Sequence, residues 1–251
     1  MTKIILHGCN GRMGRVITNL VQNDDNATIV AGIDVYNEID NDYPVYTAIN
    51  ECQEEADVII DFATASAVDN LLDYSKRRKI PVVLCTTGLS QEQVDRIDKV
   101  SKEVAVLYSA NMSLGINTLF KILGAITNVL DSAGFDIEIV EKHHNQKLDA
   151  PSGTALALAD VINEEADGKF EYVFDRSDRR QKRDKKELGI SAVRGGTIVG
   201  EHEVIFAGEE EVIEIKHTAY SRNVFAKGAV EAAKFLKGKE PNKYTMRQVV
   251  E

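Results

Sequence analysis

Over roughly its first hundred residues the sequence alternates short, wholly apolar runs with amphipathic stretches, and few folds accept that pattern. Strand-like runs stand at residues 3–7, 28–33, 58–61, 81–85 and 104–108, and helical spacing at residues 12–22, 67–79 and 91–103. Strands that are apolar at nearly every position are buried on both faces, which requires a parallel sheet covered by helices on each side. Right-handed crossovers then predict an α/β fold, a Rossmann-like doubly wound parallel sheet.

The pattern changes after residue 111. Residues 114–129 read as one long helix and residues 135–143 as a strand, and Pro151-Ser152-Gly153-Thr154 opens a helix reaching about residue 166. Strand-like runs follow at residues 190–194, 201–207 and 211–218, with turns supplied by Gly195, Gly196, Gly200 and Gly208. Strand following strand predicts a second, α+β domain with a mixed or antiparallel sheet. The apolar face of a final helix, residues 223–236, has no partner among the C-terminal segments, so it is expected to return to the first domain. The expected division is residues 1–112 with 222–251 as a dinucleotide-binding domain and residues 113–221 as a substrate-binding domain.

After the first strand comes Gly8-Cys9-Asn10-Gly11-Arg12-Met13-Gly14 and then a helix. One glycine serves the tight turn, one lets backbone amides approach a pyrophosphate, and the third permits helix–strand packing. The helix N-terminus adds its positive dipole end. The second strand ends at Asp34, twenty residues beyond Gly14, where a carboxylate binds ribose hydroxyls. This context favours a dinucleotide over a merely structural turn. Asp34 repels a 2′-phosphate and neither Val35 nor Tyr36 offers it a cation, so the cofactor expected is NADH or NADPH with a lean to NADH. Arg12 keeps NADPH open.

Composition narrows the partners. A formal net charge of −10 repels nucleic acid and anionic membranes, so neither is expected as a partner, and an anionic ligand requires a local basic or N–H-rich seat. The basic run Arg-Ser-Asp-Arg-Arg-Gln-Lys-Arg-Asp-Lys-Lys at residues 176–186 lacks interleaved aromatics and reads as a solvated loop rather than a nucleic-acid arm. Cys9, Cys52 and Cys85 form no CxxC pair, and suggest neither a disulfide framework nor a zinc site. With no signal-peptide pattern and no apolar run of the ~18–20 residues that span a bilayer, a cytoplasmic location is expected.

The densest chemistry is Glu141-Lys142-His143-His144-Asn145-Gln146-Lys147-Leu148-Asp149-Ala150-Pro151-Ser152-Gly153-Thr154-Ala155. Ser152 is a natural N-cap, and the first-turn amides of Gly153 and Thr154, with the Thr154 hydroxyl, make an anion seat suited to a carboxylate. His143 and Lys147 can donate protons near neutral pH when their pocket adjusts them. Adjacent histidines point in different directions, so His143 and His144 are poor joint metal ligands and no metal is expected. A plain capped helix behind a polar loop is the competing reading.

That run resembles the E-x-H-H-x-x-K-x-D-x-P-S-G-T-A signature of the 4-hydroxy-tetrahydrodipicolinate reductase (dihydrodipicolinate reductase) family. Further motifs follow in order. Gly8 to Gly14 resembles its G-x-x-G-R-M-G, Thr86-Thr87-Gly88 its T-T-G turn, and Ser109-Ala110-Asn111-Met112-Ser113 its A-x-N-[FM]-S crossing. Arg194-Gly195-Gly196 through Gly200-Glu201-His202 is similar to its R-x-G-x-x-x-G-x-H stretch, and Ser221-Arg222 to its S-R. The resemblance implies a cofactor on Gly8, Cys9, Asn10, Gly11, Arg12 and Met13, with Asp34 at the ribose. Cys85, Thr86, Thr87, Ser109, Ala110, Asn111 and Met112 would line the nicotinamide side. It implies His143 as proton donor and acceptor, Lys147 as proton donor, and His144, Gly153 and Thr154 on the substrate's carboxylates. It also implies reduction of a cyclic imine dicarboxylate in lysine and diaminopimelate biosynthesis, and a homotetramer formed through the second domain's sheet. A sugar or amino-acid dehydrogenase would leave the His-His-x-x-Lys and Pro-Ser-Gly-Thr segment unexplained. A redox-sensing module should show a DNA-binding segment or a degraded reactive loop.

Overall fold

The structure, a computed structural model, describes residues 1–109 and 111–251. These divide into two compact units, Met1–Leu114 with Asn223–Glu251, and Gly115–Arg222.

In chain order the first unit carries β1 (Thr2–His7), β2 (Ala27–Ile33), β3 (Val45–Tyr46), β4 (Val58–Asp61), β5 (Val82–Leu84), β6 (Val106–Tyr108) and, near the C-terminus, β12 (Lys243–Tyr244). All pair in parallel, in the order β12-β6-β5-β4-β1-β2-β3. The apolar runs divide by alternation. Ile4, Leu6, Val58, Ile60 and Val83 enter one core, whereas Ile5, Ile59, Val82 and Leu84 enter the other. Helices α1 (Arg12–Val21) and α6 (Asn223–Leu236) supply the first core with Ile17, Ala226, Ala229 and Ala233. Helices α2 (Val68–Arg78) and α3 (Gln91–Val100) supply the second with Leu71, Leu72 and Ile97. The doubly wound arrangement expected from period and apolarity is therefore present. Strand β1 lies between β4 and β2, so the order reverses beside it, and such a switch point opens a crevice at the strands' C-terminal ends.

Helix α6 approaches that end closely. A Cβ built on Gly228 would lie 1.7 Å from the Met112 carbonyl oxygen, so only glycine lets the helix pass the backbone behind β6. The short helix α7 (Met246–Val249) puts Met246 into the same core.

The second unit holds the long helix α4 (Leu114–Ser132, its first residue counted with the first unit), α5 (Gly153–Glu165) and five strands. These are β7 (Asp136–His143), β8 (Glu171–Val173), β9 (Glu187–Arg194), β10 (Gly200–Ala207) and β11 (Val212–Ala219), in the order β11-β10-β7-β9-β8. The sheet is mixed: β7–β9 and β8–β9 are parallel, and β10 runs antiparallel to β7 and β11. On β7 strict alternation buries Ile137, Ile139, Glu141 and His143. The first two join Leu119, Leu123, Leu158 and Ile162 of the helices in one core, and the two polar residues continue the same face beyond it.

Two readings need correction. The short strands β3, β8 and β12 are absent from the expectation, because two or three residues carry too little periodicity to be seen. The basic run 176–186 is not a loosely solvated loop. Arg176 forks onto Glu138 at 3.0 and 2.7 Å and reaches Glu187 at 3.0 Å. Arg179 meets Glu187 at 2.7 Å, and Arg183 meets Glu138 and Asp136 at 2.9 Å each. The carboxylates come from β7 and β9, so the run is a clasp across the sheet whose partners lie up to 51 residues away in sequence. Gly189 leaves the space it needs, since a Cβ there would fall 1.9 Å from Glu138 Oε2.

Candidate functional site

In the first unit the glycine loop leaves β1 at its C-terminal end. Gly8 has φ +81°, and a Cβ there would stand 2.7 Å from the Phe62 carbonyl oxygen. At Gly14 a Cβ would lie 2.2 Å from Gly8 O and 2.4 Å from Cys9 O, so this glycine sets how closely α1 folds back on the loop. Gly11 is the N-cap of α1 and has no side chain to cap it, which leaves first-turn amides without an intrahelical acceptor. Such a cradle fits a pyrophosphate. Asp34, at the end of β2, accepts from the amides of Asn10 at 2.9 Å and Tyr36 at 3.0 Å. It is thus tied to the loop it was expected to serve. Cys9 has no exposed surface, and burial first, then the Asp34 charge, push its thiol up to about 11.

Thr86 follows β5 and donates to Asp61 Oδ2 at 2.5 Å, while His7 Nδ1 lies 2.7 Å from Asp61 Oδ1, off the hydrogen-bonding direction. Asp61 is wholly buried at the end of β4, in register with His7. Neither was anticipated. The available signal was an acid closing an otherwise apolar strand, Val58-Ile59-Ile60-Asp61. Cys85 and Thr87 flank Thr86. After β6, Ser109 Oγ donates to Asn111 O at 3.2 Å and Asn111 Oδ1 accepts from the Ser113 amide at 2.8 Å. Met112 is buried, and Ala110 lies outside the described residues. Because all strands are parallel, these segments emerge from one edge of the sheet.

In the second unit His143 ends β7, 9% exposed, with Nδ1 2.6 Å from Glu141 Oε2. Glu141 has no exposed surface and carries the Arg194 guanidinium at 2.8 and 2.7 Å and the Ser152 amide at 2.9 Å. Burial acts to raise the Glu141 pKa, but Arg194, His143 and the Ser152 amide outweigh it and hold the carboxyl below its usual range. Burial lowers the His143 pKa, and Glu141 offsets part of that. His144 and Lys147 lie in the turn that follows, with the Lys147 amide donating to His144 O at 3.2 Å. Lys147 Nζ sits 2.8 Å from Asp149 Oδ1. Lys147 first, and backbone amides that include Gly153 N–H, hold the Asp149 carboxyl low. A carboxylate of the chain itself therefore already faces the start of α5, where Gly153 and Thr154 follow the Ser152 cap. Of this segment, His143, His144 and Lys147 lie on one strand end and the turn after it, and Asp149 links Lys147 to the start of α5. Among the described residues no cluster of three or more His, Cys, Asp or Glu side chains could hold a metal ion.

Glu141, Arg194 and His202 were not singled out as site residues. Glu141 was legible in principle, two residues before His143 on one strand face. Arg194 needed the β7–β9 register, which aligns it with His143. His202 is 5% exposed, meets Ser152 Oγ at 3.1 Å and packs edge-on to His143 with centroids 5.1 Å apart. Its Nδ1 has no hydrogen-bond partner among the described residues.

Burial first, then the His143 charge, push the His202 pKa down from 6.5 to about 4. The unfolded chain thus binds that proton more tightly than the folded one. Above about pH 6.5 His202 leaves stability unchanged, and as pH falls toward 4 stability is lost at up to ~1.4 kcal/mol per pH unit. Urea unfolding of wild type and His202→Asn between pH 7 and 4.5 should show the wild type losing roughly 2 kcal/mol more than the variant. Parallel curves would remove His202 as the acid-sensitive group.

Two family models cover the chain: "Dihydrodipicolinate reductase, N-terminus" matches residues 2–112 and "Dihydrodipicolinate reductase, C-terminus" residues 115–250. The 4-hydroxy-tetrahydrodipicolinate reductase of Caldanaerobacter subterraneus is 53% identical over 250 residues, covering 100% of this chain and 98% of the relative. That of Clostridium novyi is also 53% identical, over 251 residues with the same coverage. Among solved structures, a dipicolinate-bound dihydrodipicolinate reductase from Paenisporosarcina sp. TG-14 superposes with a TM-score of 0.81 at 22% identity, covering 99% of both chains. It shares the fold of this chain. Matched by both models and at 53% identity over its whole length, the chain belongs to the dihydrodipicolinate reductase family.

Proposed function

We propose that the chain reduces 4-hydroxy-tetrahydrodipicolinate to tetrahydrodipicolinate in lysine and diaminopimelate biosynthesis, consuming one NAD(P)H and one proton and releasing NAD(P)+ and water. The observation that carries this reading is the pairing of a buried, carboxylate-held His143 with Lys147, beside a helix start where the Asp149 carboxylate already lies. Such a place receives a carboxylate and supplies proton donors within one turn of chain. When bound, the nicotinamide supplies the hydride. The residues of this chain do the rest. His144, Gly153 and Thr154 hold the dianion's carboxylates, and His143 and Lys147 handle the proton while negative charge builds on the ring. In the first unit Gly8, Cys9, Asn10, Gly11, Arg12 and Met13 hold the pyrophosphate, and Asp34 takes the ribose. Cys85, Thr86 and Thr87, with Ser109, Asn111 and Met112, line the nicotinamide side.

A cytoplasmic homotetramer belongs to the same reading. What supports the assembly is the sheet face opposite α4 and α5, where Val140, Val193 and Ile205 stand among charged residues. Among the described residues no helix is long and apolar enough to cross a membrane. A sedimentation mass four times the chain's 27.8 kDa would bear the tetramer out, and a single-chain mass would refute it.

Freshly generated 4-hydroxy-tetrahydrodipicolinate, mixed with the protein while NADH and NADPH oxidation are followed separately, tests the reaction. Consumption of neither overturns it. NADH is the expected preference, because Asp34 is held at the loop and the next side chain, Val35, is 89% exposed and uncharged. Val35→Arg should shift the ratio of affinities toward NADPH about 10-fold, on the scale of one charge-assisted contact. An unchanged ratio would transfer the role to Arg12.

A further inference from the structure

The carboxylate behind His143 is bound more completely than a bystander would be. Glu141 and His143 share the buried face of β7, and Glu141 Oε1 and Oε2 together take four contacts at 2.6 to 2.9 Å. An ionised carboxylate only accepts hydrogen bonds, so the proton of this pair stands on His143 Nδ1. In the neutral imidazole the lone pair is then on Nε2. That nitrogen faces Gly200, the residue that leaves it room: a Cβ there would lie 3.2 Å from Nε2.

We propose that Glu141, locked by Arg194, is a positioning residue that holds His143 as its Nδ1–H tautomer and makes Nε2 the atom that exchanges the proton. What Nε2 meets rests on the reductase reading; the tautomer does not. Arg194 has a second part in this arrangement. An uncompensated buried carboxylate would keep the imidazole charged, and the bidentate guanidinium cancels that charge so that the ring can both give and regain a proton. The charged and titratable groups facing His143 are Glu141 on its own strand, Arg194 on β9, His202 on β10 and Lys147 in the following turn. The direction of the His143 pKa, lowered by burial and only partly restored by Glu141, agrees with a ring that is neutral at rest. Arg194 Nη2 also donates to the Asp149 carbonyl at 2.6 Å, so the same guanidinium ties β9 to the loop that carries Lys147.

Ring 15N and 13C NMR of the histidine-labelled full chain, without substrate, reads the tautomer directly, with His143 assigned by its loss in His143→Ala. The wild type should show Nδ1–H when the ring is neutral. In Glu141→Gln the amide oxygen turns to Arg194 and the amide nitrogen to the ring. The tautomer should then reverse to Nε2–H, and kcat/KM should fall about 10²-fold or more, the scale of a general acid or base left in the wrong protonation state. Breaking a buried pair can unfold a chain, so Glu141→Leu with Arg194→Met, which removes both charges, is the second variant. It should fold and lose the Nδ1–H preference. An Nε2–H wild type, or variants that keep Nδ1–H and the wild-type pH profile, would overturn the inference. An inactive wild type with the Nδ1–H tautomer would overturn the reductase reading and leave the positioning role supported.

Discussion

Lys147→Met and His143→Ala are each expected to lower turnover by about 10²-fold or more while NADH affinity stays within about 2-fold, the scale of a lost general acid or base. The two residues lie in the second unit, and the glycine loop that would hold the dinucleotide lies in the first, so the variants leave its scaffold intact. Lys147 is paired with an exposed partner, the 58%-exposed Asp149 side chain, and an ion pair so open to water is weak. Its ammonium is therefore available to an incoming dianion. Lys147→Arg separates charge from chemistry. Guanidinium keeps the positive charge but does not deprotonate near neutral pH, so it restores binding without restoring proton transfer. Stopped-flow hydride transfer with NADH binding followed by fluorescence decides the matter. A Lys147→Arg enzyme with wild-type turnover would reduce Lys147 to a binding residue. Wild-type turnover in both Lys147→Met and His143→Ala would place the proton transfer elsewhere.

The second large effect is expected at the third glycine of the loop. In Gly14→Ala the new Cβ would stand 2.2 Å from one backbone carbonyl oxygen and 2.4 Å from another, and neither can swing aside as a side chain could. The start of α1 must move off the loop, at a cost of about 1–3 kcal/mol in stability. NADH affinity should fall at least 10-fold, because backbone amides at a helix start bind phosphate only where they converge. Gly11→Ala is the informative contrast, since its Cβ would meet only Gly8 O, at 3.3 Å. That variant should keep its melting temperature and still bind NADH more weakly, the new methyl obstructing close approach of the pyrophosphate. Equal melting and equal affinity in Gly14→Ala and wild type would contradict the packing argument.

Much of this was readable from the chain alone. Apolar runs such as Ile4-Ile5-Leu6 and Val58-Ile59-Ile60 are buried on both sides of a sheet whatever their neighbours, which dictated a parallel, helix-covered domain. The loop from Gly8 to Gly14, and Ser152 ahead of α5, announced themselves because turn and cap chemistry is local. For the same reason His143, Lys147 and the Gly153-Thr154 seat, all within twelve residues, stood out as one segment.

The tertiary structure alone decided what lies behind them. Arg194 reaches Glu141 across 53 residues of sequence because β9 pairs with β7 in one register, and a slip of one residue would turn the side chain to the other face. Ser152 meets His202 across 50 residues, and the basic run 176–186 becomes a clasp because acids at positions 136, 138 and 187 come to the same surface. Hydrogen bonds and ion pairs act over about 3 Å, so partners brought together only by strand pairing leave no spacing in the sequence to read. The chain by itself specified which groups could do chemistry. Strand register decided which carboxylate holds the histidine, and thereby which ring nitrogen carries the proton.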